Sequence, residues 1–118
     1  MLCDSDYMKR ALELAQKARP ISPPNPSVGC VIVRNHQVLG EGFTQKTGSD
    51  HAEIQAIKNA NAKGFDIEGA TIYVTLFPCN ECAKAIIQSG IRRIVYDSDK
   101  YETTPAVVAS KKMLNAAG

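Results

Sequence analysis

The 118-residue sequence has little that would mark a protein that binds nucleic acids or membranes. It contains no tryptophan, only four tyrosines and three phenylalanines, and its formal net charge is +2. Proteins that bind single-stranded nucleic acid need a basic groove with aromatic stacking platforms, so this composition argues against that class. No apolar run approaches the length of a membrane-spanning helix, and the N-terminus lacks a signal-peptide pattern. We therefore expect a cytoplasmic protein with no membrane partner.

Cysteine is scarce as well, and its spacing is more informative than its number. Four cysteines could form two disulfides in a secreted protein, but in a cytosolic protein a Cys-x-x-Cys pair indicates metal binding or redox chemistry. Cys79 and Cys82 form such a pair, whereas Cys30 lies in an apolar run and is expected to be a small buried residue. The chain is long enough to bury a hydrophobic core without stabilising disulfides, so we expect a single domain over residues 1–118.

The spacing of the apolar residues predicts helices separated by strands. The first helix is capped by Asp4 or Ser5 and stopped by Pro20, because a proline pushes the preceding residue out of the α region. The second helix is predicted from about residue 50 to about residue 62. The third begins at the cysteine pair and ends at Gly90, since glycine is the typical residue just beyond a helix end.

Runs rich in β-branched residues predict four strands, over residues 28–34, 38–43, 71–77 and 93–96. The first two form a hairpin with its turn at 35–36, and we interpret Gly40 and Gly42 as marking the loop that follows. A last helix is expected from Thr104-Pro105, a capped start with proline at the first helical position. Strands that alternate with helices predict an α/β domain with a mixed sheet and helices on both faces.

Two short motifs contain the residue types of a catalytic zinc site. His51 and Glu53 stand at the start of the second helix, and Pro78 precedes Cys79 and Cys82 at the start of the third. Residues three apart share one helix face, and the positive end of the helix dipole favours thiolates there. If both helix starts lie at one edge of the sheet, the imidazole and the two sulfurs converge on one ion. Three such ligands leave the fourth zinc position open for water.

Glu53 completes the predicted chemistry, because it lies beside the ligands without being one of them. His-x-Glu followed by Pro-Cys-x-x-Cys is the pattern of the zinc deaminases. Zinc lowers the pKa of a bound water to about 7. Glu53 would accept the water proton, pass it to a ring nitrogen of the substrate and then protonate the departing ammonia. Proton transfer by a positioned side chain raises the reaction rate by roughly 10²–10⁴-fold.

Three other interpretations of the same residues stay open. Asp50-x-x-Glu53 matches a capping box, in which Glu53 only satisfies a helix end. The cysteine pair, which follows a strand, also matches a thioredoxin-like motif and would make the protein a thiol–disulfide oxidoreductase. A structural zinc site would need a fourth protein ligand, for which His36 and Cys30 are the candidates.

With their surroundings, these motifs resemble the cytidine/deoxycytidylate deaminase superfamily over nearly the whole chain. Residues 7–15, 24–33 and 40–42 are similar to the deaminase half of riboflavin-biosynthesis enzymes, whereas residues 76–101 resemble deoxycytidylate deaminases. The resemblance implies a three-layer α/β/α cytidine deaminase-like sandwich with a mixed sheet of four to five strands. It also implies a Zn²⁺ cofactor and a homo-oligomer, either a dimer or a larger assembly.

The resemblance assigns roles to individual residues. His51, Cys79 and Cys82 would be the zinc ligands, and Glu53 the catalytic proton shuttle. The implied substrate-binding residues are Asn25, Thr44, Ala52, Pro78 and Tyr101. The amide of Asn25 would hydrogen-bond the ribose or the base, and the backbone N–H of Ala52 would face the base carbonyl.

Two substrates follow from the two halves of this resemblance. The expected substrate is a pyrimidine nucleotide or nucleoside, with deoxycytidylate first because the segment from Cys79 to Tyr101 would lie around the pocket. The alternative is the riboflavin-pathway diaminopyrimidine ribosylamino phosphate, although enzymes of that pathway usually separate the two cysteines further and carry a histidine where Thr44 stands. Deoxycytidylate deaminases usually carry a long insert before the equivalent of His51, which is missing here. Both families normally add a strand after the last helix, whereas this sequence stops at Gly118, so either the sheet lacks that edge strand or the sequence is a trimmed one.

Overall fold

The computed structural model describes residues 3–20, 27–45, 50–98 and 114. Its elements, in chain order, are α1 (Asp4–Ala18), β1 (Gly29–Arg34), β2 (Gln37–Phe43), α2 (Ala52–Ala62), β3 (Thr71–Leu76), α3 (Asn80–Gln88) and β4 (Arg93–Ser98). The helix predicted from Thr104-Pro105 lies outside the described residues, apart from Leu114, which is helical. Within the described part of the chain, no helix is both long and apolar enough to cross a membrane.

The four strands form one mixed sheet in the order β2-β1-β3-β4. β1 runs antiparallel to both β2 and β3, and β3 runs parallel to β4. The β1–β2 hairpin turns at Asn35 and His36, which both have positive φ, as a two-residue turn matched to the twist of the strands requires. The predicted hairpin is therefore confirmed.

Helices cover both faces of this sheet and create two apolar clusters. Cys30 and Ile32 of β1 point to one face, where α2 and α3 pack, and Val31 and Val33 point to the other, where α1 packs. Because successive side chains of a strand alternate between faces, a strand buried on both sides has no polar side chains, as β1 has none from Gly29 to Val33. The result is a three-layer α/β/α arrangement, as predicted.

Two local expectations were wrong. The N-cap of α1 is Cys3 rather than Asp4 or Ser5, because the carboxylate of Asp6 accepts a hydrogen bond from the Cys3 N–H at 2.9 Å and starts the helix one residue earlier. Gly40 and Gly42 do not mark a loop but are buried residues of β2 that lie against α2.

Candidate zinc centre

The topology brings the two motifs to the same edge of the sheet. β2 and β3 both run antiparallel to the β1 strand between them, so their carboxyl ends point the same way. The chain leaves β2 at Phe43 and reaches His51, and it leaves β3 at Leu76 and reaches Cys79. His51 and Cys79 are the N-cap residues of α2 and α3, respectively. Both helix N-termini therefore face one point, as predicted from the spacing of the two motifs.

Three ligand atoms meet at this point. The Nδ1 atom of His51 lies 3.2 Å from Sγ of Cys82 and 3.6 Å from Sγ of Cys79. All three ligand atoms lie within 4.8 Å of one another. Tetrahedral zinc with bonds of about 2.3 Å to sulfur and about 2.0 Å to nitrogen would set each N···S pair about 3.5 Å apart. The spacing of these three side chains thus fits one zinc ion.

The cluster is closed on one side and open on the other. Cys82 is buried, Cys79 is half-buried and His51 is exposed. The imidazole is therefore the most exposed part of the cluster, whereas the sulfur of Cys82 is packed against the protein. This asymmetry suits a catalytic zinc site, which keeps one position open, better than a closed structural site.

Glu53 is a buried carboxyl group in the first turn of α2, with only 4% of its surface exposed. Burial raises the pKa of Glu53 to about 7, while a hydrogen bond from its own backbone N–H acts in the opposite direction. Cys79 and Cys82 also affect this pKa, which places the carboxyl close to both thiols. A buried carboxyl group with a raised pKa and the three possible ligand atoms therefore share one site.

The two thiols form a coupled pair. A hydrogen bond with Cys82 lowers the pKa of Cys79 to about 5. The same bond, followed by burial, raises the pKa of Cys82. Cys79 is therefore the more acidic thiol of the pair.

The structure also bears on the simpler interpretations of these residues. The N-cap of α2 is His51 and makes no side-chain cap bond, so Asp50 and Glu53 do not form a capping box. His36 is exposed at the hairpin turn and Cys30 is completely buried in the core. Among the residues that the structure describes, the ligand group comprises three side chains and includes neither of these two.

The five residues predicted to bind substrate lie in different settings. Asn25 and Tyr101 are outside the described residues. Pro78 is fully buried, and Ala52 is the first residue of α2 and completely buried. The hydroxyl of Thr44 accepts a hydrogen bond from the backbone N–H of Val28 at 3.0 Å, which joins the end of β2 to the start of β1. Substrate binding by these residues stays a prediction.

Thr75 supports the same edge of the sheet and was missed by the sequence analysis. Its hydroxyl, buried in β3, accepts a hydrogen bond from the backbone N–H of Gly29 at 3.1 Å. The ladder between β1 and β3 starts at Cys30 and Val74, so this bond extends the pairing by one residue. A threonine in the buried part of a strand was the available signal, but threonine is common in strands and does not by itself indicate such a bond.

Comparison with known proteins decides the family. Residues 1–98 match the family model described as the cytidine and deoxycytidylate deaminase zinc-binding region. The chain belongs to this family. The predicted superfamily is thereby confirmed, and the zinc cofactor is supported both by the family and by the cluster of His51, Cys79 and Cys82.

Within the family, similar curated proteins include riboflavin biosynthesis proteins and diaminohydroxyphosphoribosylamino-pyrimidine deaminases. The riboflavin biosynthesis protein RibD of Escherichia coli (strain K12) is 46% identical over 98 residues, which are 78% of this chain and 26% of that protein. A diaminohydroxyphosphoribosylamino-pyrimidine deaminase of Buchnera aphidicola subsp. Acyrthosiphon pisum is 47% identical over 98 residues, or 78% of this chain and 65% of the relative. The chain thus spans about a quarter of the first relative and somewhat under two thirds of the second.

Solved structures confirm the family fold. RibD of Acinetobacter baumannii superposes with a TM-score of 0.86 at 36% identity, over 98% of this chain and 33% of that chain. The dCMP deaminase of cyanophage S-TIM5 superposes with a TM-score of 0.77 at 23% identity, over 98% of this chain and 91% of that chain. At that identity, the second match shows the fold alone. The cytidine deaminase-like α/β/α architecture is confirmed, with four strands in the described part of the chain.

Proposed function

We propose that this protein is a zinc-dependent hydrolytic deaminase that acts on a diaminohydroxyphosphoribosylamino-pyrimidine, the compound in the names of its relatives. The observation that carries the proposal is the approach of His51 Nδ1 to both cysteine sulfurs, at 3.2 Å and 3.6 Å, beside the buried carboxyl of Glu53. A thiol–disulfide oxidoreductase would need the two sulfurs but neither the imidazole nor the carboxyl group.

The choice of substrate follows from the relatives. Proteins named as riboflavin biosynthesis proteins or as a diaminohydroxyphosphoribosylamino-pyrimidine deaminase are 44–47% identical to this chain over the matched residues, in bacteria and in plants. The phage dCMP deaminase is 23% identical, which supports no inference beyond the fold. The expectation of deoxycytidylate is therefore not confirmed, and the riboflavin-pathway alternative is the better supported of the two.

In this proposal, His51, Cys79 and Cys82 hold the zinc ion. The donor set fits the ion, because one imidazole nitrogen and two sulfurs are typical zinc ligands and leave one tetrahedral position free. When bound, zinc supplies Lewis-acid chemistry that lowers the pKa of water to about 7. The exposed side of His51 leaves the path by which the substrate ring and water would enter.

Glu53 moves the protons of the reaction. Its carboxylate accepts a proton from the attacking water and delivers it to a ring nitrogen of the substrate, while the water oxygen bonds to the amine-bearing carbon. The carboxylate then takes the remaining proton of that oxygen and gives it to the amine nitrogen, so the C–N bond breaks and ammonia leaves. The sum is substrate plus water giving the oxo product plus ammonia, with no transfer of electrons to or from a cofactor. Burial keeps this carboxyl away from bulk water, which would otherwise exchange its proton.

The test is the release of ammonia from a panel of amines by the zinc-loaded protein. The panel contains the diaminohydroxyphosphoribosylamino-pyrimidine, dCMP, cytidine, guanine and adenosine. We expect the first compound to have the highest kcat/KM, and chelation followed by zinc addition to remove and restore turnover. A higher kcat/KM for dCMP would overturn the substrate but not the reaction. Ammonia release from none of the amines, together with activity in a disulfide-reduction assay, would refute the deaminase.

Homo-oligomerisation and a single domain over residues 1–118 stay predictions, since the matched relatives differ widely in length. Light scattering on the zinc-loaded protein measures the first directly. A mass of two or more chains is expected, and a monomer that has full turnover would contradict it.

A further inference from the structure

Two glycines of β2 let α2 lie directly on the sheet. Gly40 and Gly42 are buried residues on the same face of the strand. A Cβ atom at Gly42 would stand 2.3 Å from the carbonyl oxygen of Ala52, and a Cβ atom at Gly40 would stand 2.4 Å from the carbonyl oxygen of Ala56. Both contacts are with helix backbone, which cannot rotate aside as a side chain can. Any larger residue at either position therefore has to push part of α2 away from β2.

The two glycines support different parts of the helix. Gly42 lies under Ala52, the first residue of α2, which directly follows His51. The carbonyl of His51 accepts the first hydrogen bond of the helix, from the N–H of Gln55 at 3.0 Å, so His51 moves with this first turn. A Cβ atom at Gly42 would also stand 2.8 Å from the backbone nitrogen of Ala56, whereas Gly40 lies under Ala56 and Ala60, in the middle and towards the end of the helix.

The cysteine ligands are not attached to α2. Cys79 caps α3, and Cys82 lies in its first turn, immediately after β3. A displacement of the first turn of α2 therefore moves the imidazole relative to both sulfurs. Restoring an ordinary contact of 3.4 Å at Gly42 requires a shift of about 1 Å. Metal–ligand distances tolerate only about 0.2 Å, so a shift of this size cannot leave the three ligands in place.

We propose that Gly42 is a positioning residue for the zinc ligand His51, because the missing side chain allows the first turn of α2 to sit at the depth at which the imidazole meets both cysteine sulfurs. The inference depends on the zinc site of the proposed function. It makes Gly42 a residue that sets metal affinity without touching the metal, whereas Gly40 contributes only to packing.

Gly42→Ala and Gly40→Ala form a matched pair for the test. Each adds one methyl group to the same strand, against the same helix, with nearly the same overlap. Zinc affinity is measured by competition with a chromophoric chelator, thermal unfolding is followed by circular dichroism, and the visible spectrum of the Co²⁺-substituted protein reports the ligand geometry. We expect both variants to lose several degrees of melting temperature. Gly42→Ala should lose about 10- to 100-fold in zinc affinity and have an altered Co²⁺ spectrum, whereas Gly40→Ala should stay within about threefold of the wild type.

Equal losses of zinc affinity in the two variants, or wild-type affinity in Gly42→Ala, would overturn the positioning role. If the wild-type chain itself binds no zinc, the proposed function fails before this inference is reached, so the two failures are distinguishable.

Should Gly42→Ala fail to fold, a milder pair replaces it. Ala52→Ser and Ala60→Ser each add one oxygen atom at a fully buried position, in the first and the last turn of α2, respectively. Lower zinc affinity in Ala52→Ser alone would support the proposal. Affinity unchanged in both, with a lowered melting temperature in both, would refute it.

Discussion

Glu53→Gln tests whether the carboxyl group of Glu53 transfers protons in the reaction. Glutamine keeps the volume and the hydrogen-bonding shape of Glu53 but cannot accept a proton at neutral pH. Glu53 is 4% exposed and is not one of the three side chains that could hold the metal, so the substitution removes no metal ligand. A change in turnover would therefore report proton transfer rather than metal loss.

The size of the effect follows from the surroundings of this carboxyl group. A positioned general acid–base raises the reaction rate by roughly 10²–10⁴-fold. Among the described residues, the other buried side chains with a hydroxyl are those of Thr44, Thr75, Tyr7 and Tyr73, and none of them carries a carboxylate that could replace Glu53. We therefore expect a loss of kcat in the upper part of that range, about 10³–10⁴-fold, or about 4–5 kcal/mol of transition-state stabilisation at 1.36 kcal/mol per tenfold.

The assay compares kcat for ammonia release and zinc content in the wild type, Glu53→Gln and Glu13→Gln. Glu13 is a matched control, since its side chain is 54% exposed on α1 and the chemical change is the same. Glu53→Gln should keep about one zinc per chain and lose turnover, and Glu13→Gln should match the wild type in both. Turnover of Glu53→Gln within tenfold of the wild type, with zinc retained, would refute the shuttle.

Two further predictions concern stability. Thr75→Val removes the hydroxyl that accepts a hydrogen bond from the buried N–H of Gly29, so the free energy of unfolding in urea should fall by about 1–3 kcal/mol. Thr75→Ser keeps this hydroxyl and should keep the stability. Equal losses of stability in the two variants would contradict a role for the hydrogen bond. The Arg93 guanidinium and then the Tyr73 hydroxyl hold the pKa of Asp4 at about 2, below its ordinary 3.8. The stabilisation by Asp4 is thus present above about pH 4 and lost as the pH falls towards 2. The unfolding free energy of Asp4→Asn should consequently fall less than that of the wild type over this interval, and parallel pH profiles would contradict the assignment.

The residues that could be placed from the sequence are those whose positions depend on local rules. The ends of α3, from the cysteine pair to Gly90, follow from helix capping and from the positive φ that glycine adopts there. The strand that is apolar on both faces and the hairpin turn at Asn35 and His36 follow from patterns of a few residues. The convergence of His51 with the cysteines followed once both helix starts were expected at one edge of the sheet.

The remaining features depend on residues that are distant in sequence. Asp4 is bonded to Arg93, 89 positions along the chain, and this pairing arises only when α1 packs across the sheet. Gly42 was interpreted as a loop residue because glycine is common in loops, whereas its actual role depends on how closely α2 approaches β2. Asn25 and Tyr101 fall outside the described residues, so their predicted contacts with substrate rest on the family resemblance.

The zinc content of three purified proteins tests the central claim most directly. The wild type, Cys82→Ser and Cys3→Ser are each freed of loosely bound metal and analysed for zinc per chain. Cys3 is an exposed cysteine at the start of α1, so its substitution controls for the loss of one thiol. The account predicts about one zinc per chain in the wild type and in Cys3→Ser, and close to none in Cys82→Ser. A Cys82→Ser protein that keeps its full zinc, or a wild type that holds none, would contradict it.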